Sequence, residues 1–247
     1  MLRAFRADLH VHTCLSPCGE LEMSPRGIVQ TAKARRVDIL GICDHNSAEN
    51  VPALLEAAGP HRISVLAGLE ITSREEVHVL GLFDSLGSAF ALQEIIYAHL
   101  PGKNDEEAFG IQAVVNEAGE VLWFNEKLLI GATDLTLAEV VSLIHSQGGL
   151  AIASHIDREG FSIVGQLGFI PENLPLDAVE VSPAMSTNEA GRKYGTRFPI
   201  TSASDAHRLE EIGRATTLFR LAEGTAAEIR KALAGQGGRM IMQGEEG

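Results

Sequence analysis

The chain has 247 residues, of which 45% are hydrophobic, and its formal net charge is −13 at pH 7. This length suits one α/β barrel of about 250 residues, and the apolar fraction is typical of a globular chain with a sizeable core. The negative charge opposes non-specific binding to nucleic acid or to an anionic membrane. We therefore expect neither a membrane nor a nucleic acid polymer as a partner. No apolar run approaches the roughly 18 residues of a transmembrane helix.

The N-terminal segment and the cysteines indicate a cellular compartment. Residues 1–6 lead directly into a strand-like run and contain no apolar core of a signal peptide. The chain has three cysteines, an odd number, which argues against a disulfide framework and for a reducing compartment. From these two features we expect a cytoplasmic protein.

Short apolar runs alternate with longer helical patterns along the chain. The apolar runs predict strands at 5–9, 37–43, 63–69, 77–83, 150–154, 177–182, 199–203 and 215–219. The helical patterns fall at 25–36, 50–58, 88–100, 105–118, 136–147 and 225–234. Continuous apolar runs are typical of strands that are covered on both faces, as in a parallel sheet. The alternation therefore predicts βαβ units and a parallel α/β barrel.

Residues from about 84 to 135 interrupt this alternation. They contain two of the helical patterns and a short apolar piece at 121–124, but no group of ligand-type residues. We interpret this stretch as an insertion or lid on a single barrel domain that spans 1–247, and not as a second domain. The tail from about 236 to 247 is rich in glycine and glutamate, and we expect it to be frayed.

Most of the histidines lie at the ends of the predicted strands, beside carboxylates or other histidines. The ligand-type residues at these ends are His10, His12, Asp44, His45, Glu70, His155, Asp205 and His207. His10 and His12 have the i, i+2 spacing that places two side chains on one face of a strand. His78 interrupts the run 77–83, where a buried structural histidine is the alternative interpretation. Because a parallel barrel gathers its C-terminal strand ends into one site, these distant residues can meet there.

The number of candidate ligands indicates more than one metal ion. Imidazole and carboxylate groups bind Zn, Mn or Fe, and a catalytic ion usually takes about three protein ligands. The candidate ligands are the strand-end residues just named without Asp44, and in addition His78 and an acidic residue near position 20. These candidates are too many for one ion. They suit two or three divalent ions, which clamp a phosphoryl group and generate hydroxide near neutral pH. Three histidines in predicted loops or helices, His61, His99 and His145, are interpreted as ordinary surface or helix residues.

The order of these segments resembles the polymerase-and-histidinol-phosphatase (PHP) family of metal-dependent phosphoesterases. The matching segments are 8–12, 44–45, 68–70, 78, 154–155 and 204–207, which together span most of the chain. The resemblance implies a distorted (β/α)7 TIM-like barrel of parallel strands, with a trinuclear site of Zn, Mn or Fe at their C-terminal ends. It also implies one ion on His10, His12, Glu70 and Asp205, a second on His45, His207 and an acidic residue, and a third on Glu70, His78 and His155.

The loop after His12 departs from the family pattern, which has Ser-Asp-Gly shortly after the second histidine. The chain has a longer stretch at 13–23 before the helix start at Ser24-Pro25, where serine caps the helix and proline occupies its first turn. Counting back from this start assigns Glu20 as the acidic ligand of the second ion, with Glu22 as its competitor. A solvated loop carboxylate is the alternative interpretation of Glu20.

Several other residues beside the proposed ligands are candidates for further roles. Arg158 resembles a family arginine that contacts substrate phosphate, and arginine suits phosphate oxygens, although an exposed loop arginine is the alternative. Asp44 is a candidate to orient His45 or to donate a proton, and otherwise forms only a supporting hydrogen bond. The cysteines, which are Cys14, Cys18 and Cys43, are interpreted as small packing residues. A redox-sensitive thiol pair or an unusual metal ligand is the alternative.

The predicted function is hydrolysis of a small phosphate monoester, a phosphorylated metabolite or a nucleotide, with a metal-bridging hydroxide as nucleophile. We assign Asp44, His207 and Arg158 as the catalytic candidates. An amidohydrolase-like C–N hydrolase shares the barrel and the metals and is one alternative. A metal- or nucleotide-binding regulatory module without turnover is the other, and the complete ligand set argues against it. The substrate itself is not predicted, because specificity in barrels lies in the loops.

Overall fold

The structure is a computed structural model that describes residues 1–242 of the chain. Its strands are β1 (Arg3–Val11), β2 (Ile39–Ile42), β3 (Ser64–Thr72), β4 (His78–Phe83), β5 (Ala113–Val115), β6 (Val121–Phe124), β7 (Leu150–Ala153), β8 (Ala178–Val181), β9 (Ile200–Ser202), β10 (Thr217–Leu221) and β11 (Met240–Ile241). Its α-helices are α1 (Pro25–Ala34), α2 (Val51–Ala58), α3 (Leu86–Ala98), α4 (Glu106–Phe109), α5 (Leu137–Ser146), α6 (Ile163–Leu167), α7 (Thr187–Tyr194) and α8 (Ala226–Leu233). The α/β class is confirmed. Across the described range, no helix combines the length and the apolar character that a membrane span requires.

Nine strands of the described chain form one mixed sheet, in the order β11-β10-β1-β2-β3-β4-β7-β8-β9. The strands β1, β2 and β3 are parallel, as are β7, β8 and β9. However, β4 is antiparallel to both neighbours, and β10 is antiparallel to β1 and β11. The predicted parallel architecture is therefore confirmed in part, because the sheet is mixed and not parallel throughout. Residues 73–77 connect β3 to β4, whereas a parallel crossover needs about a dozen residues or more, so these two strands form a hairpin.

The sheet curls until the end of β1 meets the segment that follows β9. Val11 and Ala206 form a parallel β-bridge, in which the His12 amide donates to the Ala206 carbonyl at 3.0 Å. We call this line of contact between the two ends of the curled sheet the seam. Further along it, the Thr217 hydroxyl accepts from the Ser202 amide at 2.8 Å and donates to the Ser202 carbonyl at 2.9 Å. The result is a partial barrel whose seam is joined by a few bonds and not by a full strand ladder.

Apolar clusters on the sheet hold the strands in place. The larger cluster joins the sheet to the inner faces of several helices, with Ile28 of α1, Leu54 of α2 and Val140 of α5 fully buried. The smaller cluster packs Ile229 of α8 against strand residues that include Phe219. Because a well-packed core fixes backbone positions, these clusters determine where the strand ends lie.

The segment predicted as a lid differs from the sequence interpretation. The helix expected at 105–118 is shortened to α4, which ends at Gly110 with a positive φ of 98°. The following residues form the hairpin of β5 and β6. At the other end of the chain, β11 pairs with β10, so the tail that we expected to be frayed from about 236 contains a strand. Its last residues, 243–247, lie outside the described range.

Candidate metal centre

The structure gathers eight of the predicted metal ligands at one end of the sheet. We call this group the cluster; its members are His10, His12, His45, Glu70, His78, His155, Asp205 and His207. His10 comes from β1, Glu70 from β3 and His78 from β4, and the others lie on or beside the segments that follow β1, β2, β7 and β9. Because β4 is antiparallel, its first residue lies beside the C-terminal ends of its neighbours. His78 therefore reaches the cluster although it begins its strand.

Glu70 is the centre of the cluster. It is 1% exposed, and five imidazole nitrogens surround its two carboxylate oxygens. The contacts are His78 Nδ1 at 2.9 Å, His45 Nδ1 at 3.1 Å, His10 Nε2 and His155 Nε2 at 3.3 Å, and His12 Nε2 at 3.5 Å. Glu70 thus lies between histidines of four different segments, which is the position that a carboxylate bridging two metal ions would require.

Asp205 is the second carboxylate of the cluster. Its Oδ1 atom is 3.1 Å from His12 Nε2 and 3.2 Å from His10 Nε2, and its Oδ2 atom accepts from Arg158 Nη1 at 2.6 Å. Asp205 has a φ of 49°, and His155 has a φ of 28°. Non-glycine residues in this left-handed region are strained, and such strain concentrates at functional sites.

Buried polar atoms without hydrogen bonds test whether the cluster suits metal ions. The buried atoms that lack a hydrogen-bond partner include His45 Nδ1, Glu70 Oε1, His78 Nδ1 and His155 Nδ1. An unpaired buried donor or acceptor is costly, whereas a metal ion satisfies several such atoms at once. Three sets have ligand atoms within 4.8 Å of one another: His10 with His12 and Asp205, His12 with His45 and His207, and His45 with Glu70 and His78. The donor set therefore fits divalent ions such as Zn, Mn or Fe.

Outer hydrogen bonds orient the imidazoles toward the cluster. His10 Nδ1 donates to Glu180 Oε1 at 2.9 Å, and His207 Nδ1 donates to the Asp205 carbonyl at 2.9 Å. Such bonds fix the ring orientation and leave the other nitrogen free for a metal. Glu180 lies in β8 and is 1% exposed, and the sequence interpretation missed it. The signal was present, because a single charged residue interrupts the apolar run at 178–181.

Asp44 lies behind the cluster and supports the loop after β1. Its carboxylate accepts from the Thr13 amide, the Thr13 hydroxyl and the Ser16 hydroxyl, each at 2.7 Å. The Ser16 hydroxyl in turn accepts from His12 Nδ1 at 2.8 Å. Asp44 therefore orients His12 through Ser16, and among the described residues its carboxylate accepts no hydrogen bond from the His45 imidazole, which it was a candidate to orient.

The loop after β1 brings a different residue to the imidazoles than the one predicted. The Glu20 carboxylate, which is about half exposed, accepts from Arg208 Nε at 3.0 Å and lies outside the three ligand sets. Its competitor Glu22 is exposed. Cys18 Sγ instead lies 3.2 Å from His45 Nε2. The turn at 16–19 thus directs Cys18, and not Glu20, toward the cluster.

Electrostatic interactions inside the cluster shift its pKa values. Burial raises the pKa of Glu70, but the attraction of His78 and His10 outweighs burial and holds this pKa well below its usual range. For Cys18, burial also acts upward, yet hydrogen bonds to His207 and His45 lower the thiol pKa to about 6. Burial, together with repulsion from His207, keeps the pKa of His12 well below its usual range. An anionic Glu70, an anionic Cys18 and a neutral His12 are the protonation states that favour metal binding.

A cavity of about 320 Å³ opens onto the cluster. Its wall includes Arg158, Phe161 and Ile130 as well as cluster residues. The Phe161 ring stacks on the His78 ring with a centroid distance of 4.8 Å. The Arg158 side chain is 43% exposed. The cavity therefore combines a cation, an aromatic face and the imidazole–carboxylate cluster, and its volume lies at the lower end of small-molecule sites.

A curled α/β sheet that collects imidazoles and carboxylates at one end is the architecture of metal-dependent hydrolases. Residues 8–166 match the model of the PHP domain, and residues 191–236 match that of the PHP-associated region. The chain therefore belongs to the PHP domain family, and the resemblance inferred from its sequence is confirmed.

Two curated proteins share sequence similarity with the chain. One is a 5′-3′ exoribonuclease of Haemophilus influenzae, which is 32% identical over 78 residues. That match covers 30% of this chain and only 27% of the exoribonuclease. The other is an uncharacterized protein of Methanocaldococcus jannaschii, 26% identical over 184 residues that cover 71% of this chain and 80% of that protein.

Solved structures share the fold at low sequence identity. The lesion-specific endonuclease PfuEndoQ of Pyrococcus furiosus superposes with a TM-score of 0.72 at 20% identity, over 97% of this chain and 58% of that one. Endonuclease Q bound to a 27-mer duplex with an abasic lesion at its active site gives 0.68 at 19% identity, over 97% and 59%. A provisionally assigned metal-dependent phosphoesterase from Bifidobacterium adolescentis gives 0.56 at 18% identity, over 96% and 98%. The chain thus spans less than two thirds of the endonuclease chains.

The expectation that a nucleic acid polymer is not a partner is overturned by the duplex complex. A protein that shares the fold over 59% of its own chain is in complex with a 27-mer duplex that has an abasic lesion at the active site. The net charge of −13 averages the whole surface and therefore does not exclude such a partner. Recognition depends on the local potential at the site, where bound divalent cations are often the largest charges.

Proposed function

We propose that the chain is a multinuclear metal-dependent phosphoesterase. The observation that carries this proposal is the position of Glu70, a buried carboxylate with five imidazole nitrogens within 3.5 Å and an unpaired Oε1 atom. The three ligand sets described above would hold two or three ions of Mn, Fe or Zn. Ions in these sets would lower the pKa of bound water and stabilise the charge of a phosphoryl group.

The residues at the cavity mouth would bind and orient the phosphate ester. Arg158 uses Nη1 to hold Asp205, and the remaining donors of its guanidinium group suit phosphate oxygens. The side chain of His207 is 24% exposed, and its Nδ1–H donates to the Asp205 carbonyl. This bond leaves Nε2 as the atom that faces either an ion or the leaving oxygen of the ester. Asp44 and Glu180 act through other residues, because they fix the imidazoles of His12 and His10.

The cavity supports a phosphate monoester or a nucleotide unit as the substrate. Its volume of about 320 Å³ suits one such unit, and the exposed Phe161 ring offers a face on which a base can stack. A phosphodiester in nucleic acid is the second candidate, and the duplex complex of a protein with this fold favours it. Both candidates share the same chemistry at phosphorus and differ in what lies outside the cavity.

The test starts from metal-free protein loaded separately with Mn, Fe(II) or Zn, with the metal content measured by elemental analysis. Each form is assayed against a panel of phosphorylated metabolites and mononucleotides, and against labelled single-stranded and abasic duplex DNA. We expect ester hydrolysis in at least one metal form, and its loss in Glu70→Gln but not in Glu22→Gln, which changes an exposed carboxylate outside the cluster. Hydrolysis of amides or deamination without ester hydrolysis would favour the C–N hydrolase. Metal binding without any turnover would favour a regulatory module.

A further inference from the structure

The loop that follows β1 places a thiol where the sequence predicted a carboxylate. Cys18 Sγ is 3.2 Å from His45 Nε2, whereas the Glu20 carboxylate turns away and pairs with Arg208 at 3.0 Å. The loop is held in this path by bonds from Thr13 and Ser16 to the buried Asp44. These bonds fix the loop up to Ser16, and a turn closed by the Gly19 amide and the Ser16 carbonyl at 2.8 Å then presents the exposed Cys18.

One of the three ligand sets lacks an anionic group. The set of His10, His12 and Asp205 contains a carboxylate, and so does the set of His45, Glu70 and His78. The third set consists of His12, His45 and His207 alone. Three neutral imidazoles contribute no negative charge to a divalent ion, and the nearby Asp205 and Glu70 carboxylates belong to the other two sets. An anionic ligand beside the three imidazoles would therefore strengthen binding of an ion there.

The imidazole beside Cys18 is buried among the other imidazoles of the cluster. His45 is 6% exposed; its Nδ1 atom faces Glu70 Oε2 at 3.1 Å, and its Nε2 atom faces Cys18 Sγ at 3.2 Å. Its ring lies 4.7 Å from the His12 ring between centroids, and the His12 ring lies 4.1 Å from that of His207. These three imidazoles have ligand atoms within 4.8 Å of one another and offer three nitrogen atoms to one metal ion.

We propose that the Cys18 thiolate is the anionic ligand of the ion held by His12, His45 and His207. This inference rests on the proposed metal centre. Metal–sulfur and metal–nitrogen bonds of about 2.3 and 2.0 Å place two ligand atoms of a tetrahedral ion roughly 3.5 Å apart. The observed separation between Cys18 Sγ and His45 Nε2 is 3.2 Å, close to that value. Cys18 Sγ itself lies outside the set of three imidazoles, so binding requires the loop to bring the sulfur closer to that set. The thiol loses its proton when the ion binds.

A sulfur ligand would make this position chemically different from the other two. The other sets offer only nitrogen and oxygen atoms, which suit Mn and Fe as well as Zn. Thiolate is a soft ligand, so it favours Zn over Mn at the Cys18 position. The protein would therefore hold a mixed set of ions, with Zn retained most strongly beside Cys18.

The remaining cysteines provide matched controls. Cys14 Sγ lies 3.9 Å from the Ala113 carbonyl, and Cys43 Sγ lies 3.6 Å from the Leu9 carbonyl. Cys18 Sγ, in contrast, lies 3.2 Å from a cluster imidazole. A charge-transfer band from a thiolate to the bound metal should therefore depend on Cys18 and be unaffected by Cys14→Ser.

The experiment uses metal-free full-length protein loaded with Co(II), and spectra in the near ultraviolet report thiolate-to-cobalt charge transfer. We compare wild type with Cys18→Ser, Cys18→Asp, Cys14→Ser and Glu20→Gln, and confirm each fold by circular dichroism. We expect the band in wild type, in Cys14→Ser and in Glu20→Gln, and its loss in both Cys18 variants. Cys18→Asp, which keeps an anionic ligand, should retain the cobalt equivalent that Cys18→Ser releases. X-ray absorption of the zinc-loaded wild type should show a Zn–S distance of about 2.3 Å and needs no variant.

The outcomes separate this inference from the proposed function. Wild-type protein that binds cobalt without the charge-transfer band, or a band that persists in Cys18→Ser, overturns the role of Cys18 alone. A zinc-loaded wild type with only nitrogen and oxygen neighbours does the same. Loss of one metal equivalent in Glu20→Gln, with the band absent, would return the role to Glu20. A protein that takes up neither cobalt nor zinc overturns the metal centre as well.

Discussion

The inner part of the metal centre and its rim are built in different ways. The inner residues, such as His10, Glu70 and Glu180, lie on strands and are at most 1% exposed. The rim residues, such as Cys18 and Arg158, lie on connecting segments, and both are substantially exposed. A strand position is fixed by the sheet ladder and by core packing, whereas a rim position depends on a few side-chain hydrogen bonds. We therefore expect changes inside to remove ions, and changes at the rim to alter what the ions act on, except at Cys18, which we propose as a ligand itself.

The largest effect is expected for Glu70→Gln. The amide keeps the shape but removes the charge that five imidazoles surround. We expect loss of at least one metal equivalent, and a fall in kcat greater than the roughly 10–100-fold typical of outer-shell changes. Elemental analysis and steady-state kinetics on protein of unchanged circular dichroism provide the measurement. A variant with a full metal complement and wild-type turnover would mean that Glu70 is not a bridging ligand.

A smaller inner effect is expected for Glu180→Gln. Glu180 touches His10 and not the predicted ion positions, so its loss should weaken metal affinity by about 10–100-fold without removing a ligand. Competition with a chelator measures this affinity, and Glu189→Gln on the exposed surface of α7 is the matched control. Equal affinities in the two variants would show that the bond to His10 is unimportant for the centre.

A change at the rim should separate substrate binding from metal binding. In Arg158→Gln the cluster keeps its ligands, but the phosphate loses a charged hydrogen-bond donor, which is typically worth about 1.5–3 kcal/mol. We expect KM to rise by about tenfold or more, with the metal content unchanged. Kinetics and elemental analysis on the same samples give both readouts. Loss of metal instead would place Arg158 with the inner residues, through its ion pair with Asp205.

The smallest effect is expected for a carboxylate outside both regions. Hydrogen bonds from Arg239 and Lys231 lower the pKa of Glu228 to about 2. Because this pKa is below that of the unfolded chain, about 4.3, the stabilisation is complete above that pH and is lost as the pH falls toward 2. We expect Glu228→Gln to cost about 1 kcal/mol at pH 7, and the difference to shrink in acid. Urea unfolding at several pH values measures it, with exposed Glu223→Gln as the control. A pH-independent difference would contradict the ion-pair explanation.

The sequence predicted the inner region better than the rim for a physical reason. The strand ends with His10, Glu70 and His155 were recognisable because an apolar run marks a buried strand and its last residues mark the site. The direction of β4 was also predictable in principle, since residues 73–77 are too few for a crossover. The path of the loop after β1 was not predictable, because it depends on hydrogen bonds to Asp44 from residues that are 31 and 28 positions away in the chain. Local patterns contain no information about such distant partners.

The seam of the partial barrel has a consequence for how the centre is assembled. His12 and Asp205 meet across 193 residues of chain, beside the bridge between Val11 and Ala206. Contacts of such long sequence separation carry a high entropic cost and form slowly compared with local helices and hairpins. A growing chain therefore presents its first histidines long before their carboxylate partner exists. Firm uptake of an ion by His10, His12 and Asp205 would therefore mark the completion of folding and not its beginning.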